Sequence, residues 1–522
     1  MVATLAVGCG DDPTTPPIGD GTVYNPYPPG LLPADLQSEI DRVTAEIDTI
    51  FQRALAQWKA TPSPTVAGNP PILQDTGMKL VQILGKLELF DKTISVNGNV
   101  ACTFCHMPYT GFSGPISSVN ATVVAYPGSV HFRFGKRKPQ AYTYSPFYPA
   151  LDFNQTQQDF YGGNFWDLRA TGYKIQSADA EQAQHPVVDT QEHGFPDTAC
   201  VVFRLSQSPY RPLFELIWGI EAFQIAFPSD TERVCTTPGG AAVLNGNPTP
   251  VALSTADRGR SNATFDEFAL SISAYERSED VSAFSSKFDA FLAGKAQLTA
   301  DEMAGWQLFR GKGVCNTCHV DGTENSTTPI TKANIAQVAP LFTDFTSSNL
   351  GVPKNLSDPI YFENVPDSFG FTPNPAGAAF VDLGVGFFLR SQAGGINPNS
   401  DWTGLAPLFD GKMQTATTRN ADMRPCPTFV KSYMHNGYLK SLKEVVHFYN
   451  TRDKFASASC TPQTEKVTCW PPPEVSANKD MTIGNLGLTD AEENQIVAFL
   501  QTLTDGFTRP YTDFDTFTGT CP

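Results

Sequence analysis

Two short strings in this chain carry residues of the type and spacing that do chemistry: Cys102-Thr-Phe-Cys105-His106 and Cys315-Asn-Thr-Cys318-His319. Cysteines three positions apart share one turn of chain, so each thiol can form a thioether to a haem vinyl group. The histidine that follows then falls beneath the iron. A bare Cys-x-x-Cys suits a zinc half-site or a redox dithiol as well. Here the histidine follows at once, the motif occurs twice, and no further Cys/His cluster completes a zinc site. The expectation is two covalently bound haem c groups, attached at Cys102, Cys105, Cys315 and Cys318, with His106 and His319 on the irons.

Such groups need helices to hold them. From about Leu36 to Trp58 the apolar residues Leu36, Ile40, Val43, Ile47, Ile50, Ala54 and Trp58 recur in steps of three and four, which predicts an amphipathic helix. The same spacing at Phe265, Phe268, Ile272 and Tyr275 predicts a helix closing a first domain. LTADEMAGWQLFRGKGVCNTCH opens a second domain with a helix that delivers its haem cysteines. Near the C-terminus Thr489, with Glu492 three residues on, forms a capping box before the stripe Ile496, Val497, Leu500 and Leu503. Strand signals are sparse, and the intervening segments are long and rich in Phe, Pro, Asn and Gly. The fold class read from this is mainly α, in two similar halves. A chain of 522 residues exceeds one ordinary core. The division expected is 1–32 as signal remnant and flexible tether, 33–283 as the first domain and 284–522 as the second.

A formal charge of -17 argues against a nucleic-acid partner, because phosphate binding needs a basic surface, and it suits a cationic redox partner. No apolar run is long enough to span a bilayer. LAVGCG, ending just past Cys9, reads as the tail of a lipoprotein signal, although the basic region and most of the apolar region of such a signal are missing. Two readings stand: Cys9 carries a lipid and tethers the protein to a membrane, or it is a stray thiol in a tail. Six cysteines remain, Cys200, Cys235, Cys426, Cys460, Cys469 and Cys521. In a chain matured outside the cytoplasm they suggest up to three disulfides, with Cys460 and Cys469 the closest local pair and buried free thiols the alternative. The compartment expected is the periplasm, free or on the outer membrane facing it.

With both motifs placed, the chain resembles the bacterial dihaem cytochrome c peroxidase and MauG family from about Leu80 to Leu503. The resemblance rests on FWDLRA at 165–170, Gly-Lys-Gly before the second motif, PLFTDFTSSNLGVPKN at 340–355, DLGVGFF at 382–388 and YMHNGYLKSLKEVVHFYNTRD at 433–453. It implies two cytochrome c-like domains with long ordered loops, a peroxide-reacting haem in the N-terminal half and an electron-transferring haem in the C-terminal half. In EQAQHPVVDTQEHG it implies that Gln182, Pro186 and Glu192 line the open face of the first haem, with Glu192 moving protons as acid and base. Without the family, Glu192 reads as one more solvated charge. His193 follows it where family members often have Met, and His185 precedes the Pro. Trp166 matches the tryptophan between the haems and so becomes an electron relay, against the plain reading of a core aromatic.

The resemblance also bears on the second iron. Peroxidases of the family place a Met where this chain has Tyr449, whereas the MauG branch places a Tyr. Tyr449 is therefore implied as the sixth ligand, with Met434 or Met413 as the alternative. His131 falls where members needing reductive activation carry a histidine that blocks the first haem, and a surface side chain is its other reading. The family's calcium site between the domains draws on an Asn in the segment here reading GKRKP. Lys138 stands near that position, and a cation beside calcium is unfavourable. The activity implied is that of an oxidoreductase consuming hydrogen peroxide, with either a small redox protein as electron donor or side chains of a partner protein as substrate. Tyr449 leans toward the second. The alternatives from other classes are a non-catalytic dihaem electron-transfer cytochrome and a lipid-tethered sensor or structural module.

Overall fold

The computed structural model describes residues 34–64, 71–239, 250–322, 340–367, 369–391 and 397–521, so the expectations for Cys9 and the N-terminal tether lie outside it. The described chain is helix-rich, with little sheet. The first stripe forms the helix Ala34–Ala60, and Leu36, Ile40, Val43, Ile47, Ile50 and Ala54 are all buried along it. The expected capping box forms, Thr489 with Glu492 opening the helix Asp490–Gln501, and Thr299 with Glu302 forms another that opens Ala300–Arg310.

Each half is built on a helix crossing made at a glycine. In the first, Asp75–Leu89 crosses Thr255–Glu276 so closely that a Cβ on Gly85 would sit 1.9 Å from the Ser271 carbonyl oxygen. In the second, Ala300–Arg310 crosses Asp490–Gln501, and a Cβ on Gly305 would sit 1.9 Å from Gln495 O. Each crossing stands beside one Cys-x-x-Cys-His turn, and the core at the second is aromatic. Phe288 packs edge-on against Phe342 and Phe499, at 5.6 and 5.3 Å between ring centres. Such pairs contribute about 0.5–1.5 kcal/mol each beyond area burial.

A second feature also recurs. Asn164 pairs with Ala170 across FWDLR, and Tyr433 pairs with Leu439 across MHNGY. Positive φ falls at the same places in both loops, at Phe165 (70°) and Leu168 (63°) in the first and at Met434 (68°) and Gly437 (60°) in the second. Three of these four are not glycine, so the surroundings must hold the strain. A Ser-capped helix follows each loop: Ala178–Gln184 after Ser177 and Leu442–Thr451 after Ser441.

The sheet content is two short antiparallel pairs, Asp152–Asn154 with Asp159–Tyr161 and Ser347–Ser348 with Met413–Gln414. All six remaining cysteines pair, as Cys200–Cys235, Cys426–Cys521 and Cys460–Cys469. The C-terminal tail crosses back to the first helix. The Thr518 amide donates to Glu46, Arg53 pairs with Asp515, and Phe517 packs on Tyr109 at 5.0 Å.

Candidate functional site

The first motif lies on a 3-10 turn, Cys102–Phe104, whose tight pitch brings both thiols and His106 to one wall of a cavity of about 600 Å³. His106 Nδ1 is 3.0 Å from Phe112 O, and the Gln140 backbone is a second hydrogen-bonding neighbour of the ring. Burial lowers its pKa to about 4, so the ring is neutral and fit to ligate a metal.

Gln182, Pro186 and Glu192 line that same cavity. Ser177 caps the helix that carries Gln182 by accepting from the Ala180 amide, and Pro186, which lacks an N–H, opens the 3-10 turn that takes the chain out of it. Glu192 is then fixed by its backbone, its carbonyl accepting from the Ser129 amide at 2.7 Å. Burial, together with the nearby Asp189 carboxylate, raises the Glu192 pKa to about 8, while Arg169 pulls it down. His193 lines the cavity too, with its Nδ1 held by Ile94 O. His185 does not line it and instead faces the edge of Phe165 at 5.4 Å. His131 is likewise not brought there: its Nε2 lies 2.9 Å from Asn99 Nδ2.

The second motif repeats the arrangement. Cys315–Thr317 forms a 3-10 turn, and His319 Nδ1 sits 3.2 Å from Phe342 O, with the Ala416 backbone a second hydrogen-bonding neighbour of the ring. Cys315, Cys318 and His319 line a cavity of about 1680 Å³, including its open mouth. Tyr449, Met413 and Met434 all line this cavity, so lining alone does not choose among the three candidate ligands. Burial, and then the neighbouring Cys318 and Cys315 sulfurs, push the Tyr449 phenol well above its ordinary pKa.

Trp166 also faces the second cavity. Its indole N–H donates to Lys138 O at 3.2 Å and its carbonyl accepts from the Gln414 amide at 2.8 Å, one bond to each half of the chain. The segment starting at Lys138 bridges the two sites. Gln140 and Ala141 line the second cavity, while Tyr142 lines the first and tilts against the His106 ring at 5.2 Å. Beside it runs an alternating ion chain. Arg169 pairs with Asp167 at 3.0 Å, Asp167 with Arg137 at 2.8 Å, and Arg137 with Asp382 at 2.6 Å on the second cavity.

Sequence reasoning missed Tyr142, Glu276, Arg137, Asp382 and Lys431, because no local spacing marks them. Tyr142 Oη is buried on the first cavity without a hydrogen-bond partner, and the buried Glu276 carboxyl lies against Asp179. Burial, with Asp179 alongside, pushes the Glu276 carboxyl well above its usual range. The four motif cysteines form no disulfide. Neighbouring thiols and an uncharged imidazole in each cavity, with the unpartnered Tyr142 hydroxyl on the first, fit a large flat ligand with polar edge groups, as haem is.

The fold and its two cavities therefore define a protein built around two c-type haem positions. Residues 81–297 match the family model described as di-haem cytochrome c peroxidase, and the similarities that follow support the MauG-like dihaem peroxidase family. It is 27% identical over 426 residues to the methylamine utilization protein MauG of Paracoccus denitrificans (strain Pd 1222), covering 81% of this chain and 88% of that one. It is 25% identical over 449 residues to the cytochrome-c peroxidase IdrP1 of Denitromonas iodatirespirans, covering 85% and 84%. In fold it is similar to the diheme peroxidase BthA of Burkholderia thailandensis E264, with a TM-score of 0.57 at 22% identity over 85% of this chain and 90% of that one.

Proposed function

We propose that this protein is a peroxidase-type oxidoreductase of two cytochrome c-like domains, roughly 33–283 and 284–522. In this reading it consumes hydrogen peroxide at the Cys102/Cys105/His106 haem and passes electrons through the Cys315/Cys318/His319 haem. The observation that carries it is the first cavity, where Gln182, Pro186 and Glu192 gather with the first motif. A purely electron-transferring cytochrome has no need of a carboxyl poised there.

The haems, when bound, supply the iron that takes a peroxide oxygen and the route by which electrons reach it. The protein does the rest. Phe112 O helps to orient the His106 ring. Glu192 takes the proton from one peroxide oxygen and returns it to the other, a task suited to a group titrating near neutrality. Gln182 offers an amide to orient the peroxide, and Pro186 presents a face that donates no hydrogen bond. Trp166, bonded to both halves, relays electrons between the sites. Tyr449 would ligate the second iron, as the MauG branch of the resemblance implies, and this leans toward a partner protein's side chains as substrate over a small donor.

Three paired disulfides favour an oxidising compartment, so we place the protein in the periplasm, tethered there if Cys9 is lipidated. The test is stopped-flow mixing of the fully ferric protein with hydrogen peroxide. Consumption without prior reduction is expected, and an inert ferric protein would point to a blocked first iron.

A further inference from the structure

Lys431 is buried at 5% exposure on the face between the halves, and it lines the second cavity. Its Nζ donates to three backbone carbonyls: Thr110 O at 2.8 Å, Met423 O at 2.9 Å and Asn420 O at 3.2 Å. Thr110 belongs to the first half, on the loop between His106 and Phe112, and the other two belong to the second. The halves pack closely here, since a Cβ on Gly111 would lie 3.0 Å from Asn420 O.

Three carbonyl oxygens converging on one point form a hard-oxygen set of the kind a calcium ion takes. Here an ammonium occupies it. Burial and the neighbouring Lys138 both disfavour charge on Lys431, yet three acceptors call for three N–H donors, and only the protonated amine has three. The nearby Asp422 carboxylate is engaged with Arg424 at 2.7 Å, so the carbonyls carry the charge. Lys138, also on this cavity, donates to Pro139 O at 3.1 Å. A divalent ion beside these two cations would meet repulsion from both, so the residues do not fit the calcium ion that the family resemblance implies.

We propose that the Lys431 ammonium is a built-in cation that stands in for a divalent ion between the halves and positions the His106 loop against the second site. Lys431 is thus a positioning residue acting on the first haem through Thr110 and Phe112. The inference rests on the two-haem reading above, and whole-protein mass separates the two: a missing haem speaks against that reading, not against the lysine.

The experiment uses the purified holoprotein. Elemental analysis is expected to find no stoichiometric calcium, and prolonged EGTA treatment is expected to leave the electron paramagnetic resonance signals and both midpoint potentials unchanged. In Lys431→Met both haems are retained, but the first haem's ferric–ferrous equilibrium moves about tenfold, or about 59 mV for a one-electron couple. Its paramagnetic signal changes as the His106 loop relaxes. Bound calcium whose removal alters the signals overturns the proposal, as do unchanged potentials in Lys431→Met with both haems in place. Should Lys431→Met fail to fold, the EGTA result on the native protein decides.

Discussion

Replacing Glu192 by Gln keeps the shape of the side chain and removes its ability to take a proton. A positioned acid–base group contributes about 10²–10⁴-fold in rate, so peroxide consumption should fall by that order while both haems remain. The pH dependence follows from the pKa of about 8. Glu192 must begin as the carboxylate to take the first proton. At pH 7 roughly one molecule in ten carries it, and at pH 9 roughly nine in ten, so the native rate should climb nearly tenfold across that range. Glu192→Gln should be slow and flat. Stability carries a second signature. A carboxyl whose folded pKa is raised favours the fold fully below its ordinary value of 4.5, and this contribution is lost as pH rises to about 8. The difference sets an upper bound of roughly 4–5 kcal/mol on this contribution. Glu192→Gln should therefore melt higher than the native protein at pH 9 and level with it near pH 4. Stopped-flow absorbance gives the rates and calorimetry the melting. A variant as fast as the native protein, or one that keeps the rise near pH 8, refutes the assignment and moves the proton to another group.

Whole-protein mass after acid-acetone extraction should retain two haem masses, and the loss of either sinks the assignment of that motif. Tyr449→Met should shift the second haem's spectrum toward His/Met ligation, whereas an unchanged spectrum passes the role to Met434 or Met413, which line the same cavity. The ferric protein should show one high-spin and one low-spin resonance signal, since His131 is not brought to the first cavity, and two low-spin signals would contradict an open first iron. Replacing Cys200 and Cys235 with Ala should lower stability by about 2–4 kcal/mol in denaturant titration, and no change there would show the pair contributes nothing to the fold. Gly305→Leu must drive the Ala300–Arg310 helix off Gln495 and so lower the melting temperature by several degrees in a thermal scan, with an unchanged melt counting against the close crossing.

Short-range physics made part of this protein legible in its sequence. A Cys-x-x-Cys-His turn is local, and so are the capping box at Thr489 and the apolar stripe from Leu36, because a turn or a helix face is set by residues three and four apart. The stripe became Ala34–Ala60 with its expected residues buried. Gln182, Pro186 and Glu192 were found through resemblance. Their joint lining of one cavity comes from a Ser-capped helix broken at a proline, which turns all three inward.

Tertiary structure decided what depends on distant segments meeting. Of the three disulfides, only Cys460–Cys469 was suggested by nearness in the chain, while Cys426 and Cys521 meet because the tail returns to the first half. The ion chain from Arg169 to Asp382 and the bonds that seat Trp166 join residues from both halves, so no window of sequence contains them. Lys431 reads as an ordinary surface cation until the fold closes three carbonyls around it. The sequence by itself determined which residues can bind haem and where helices start. The packing of the two halves determined which carboxyl titrates near neutrality and which cation lies between the sites, because burial and charge proximity are properties of the assembled interior.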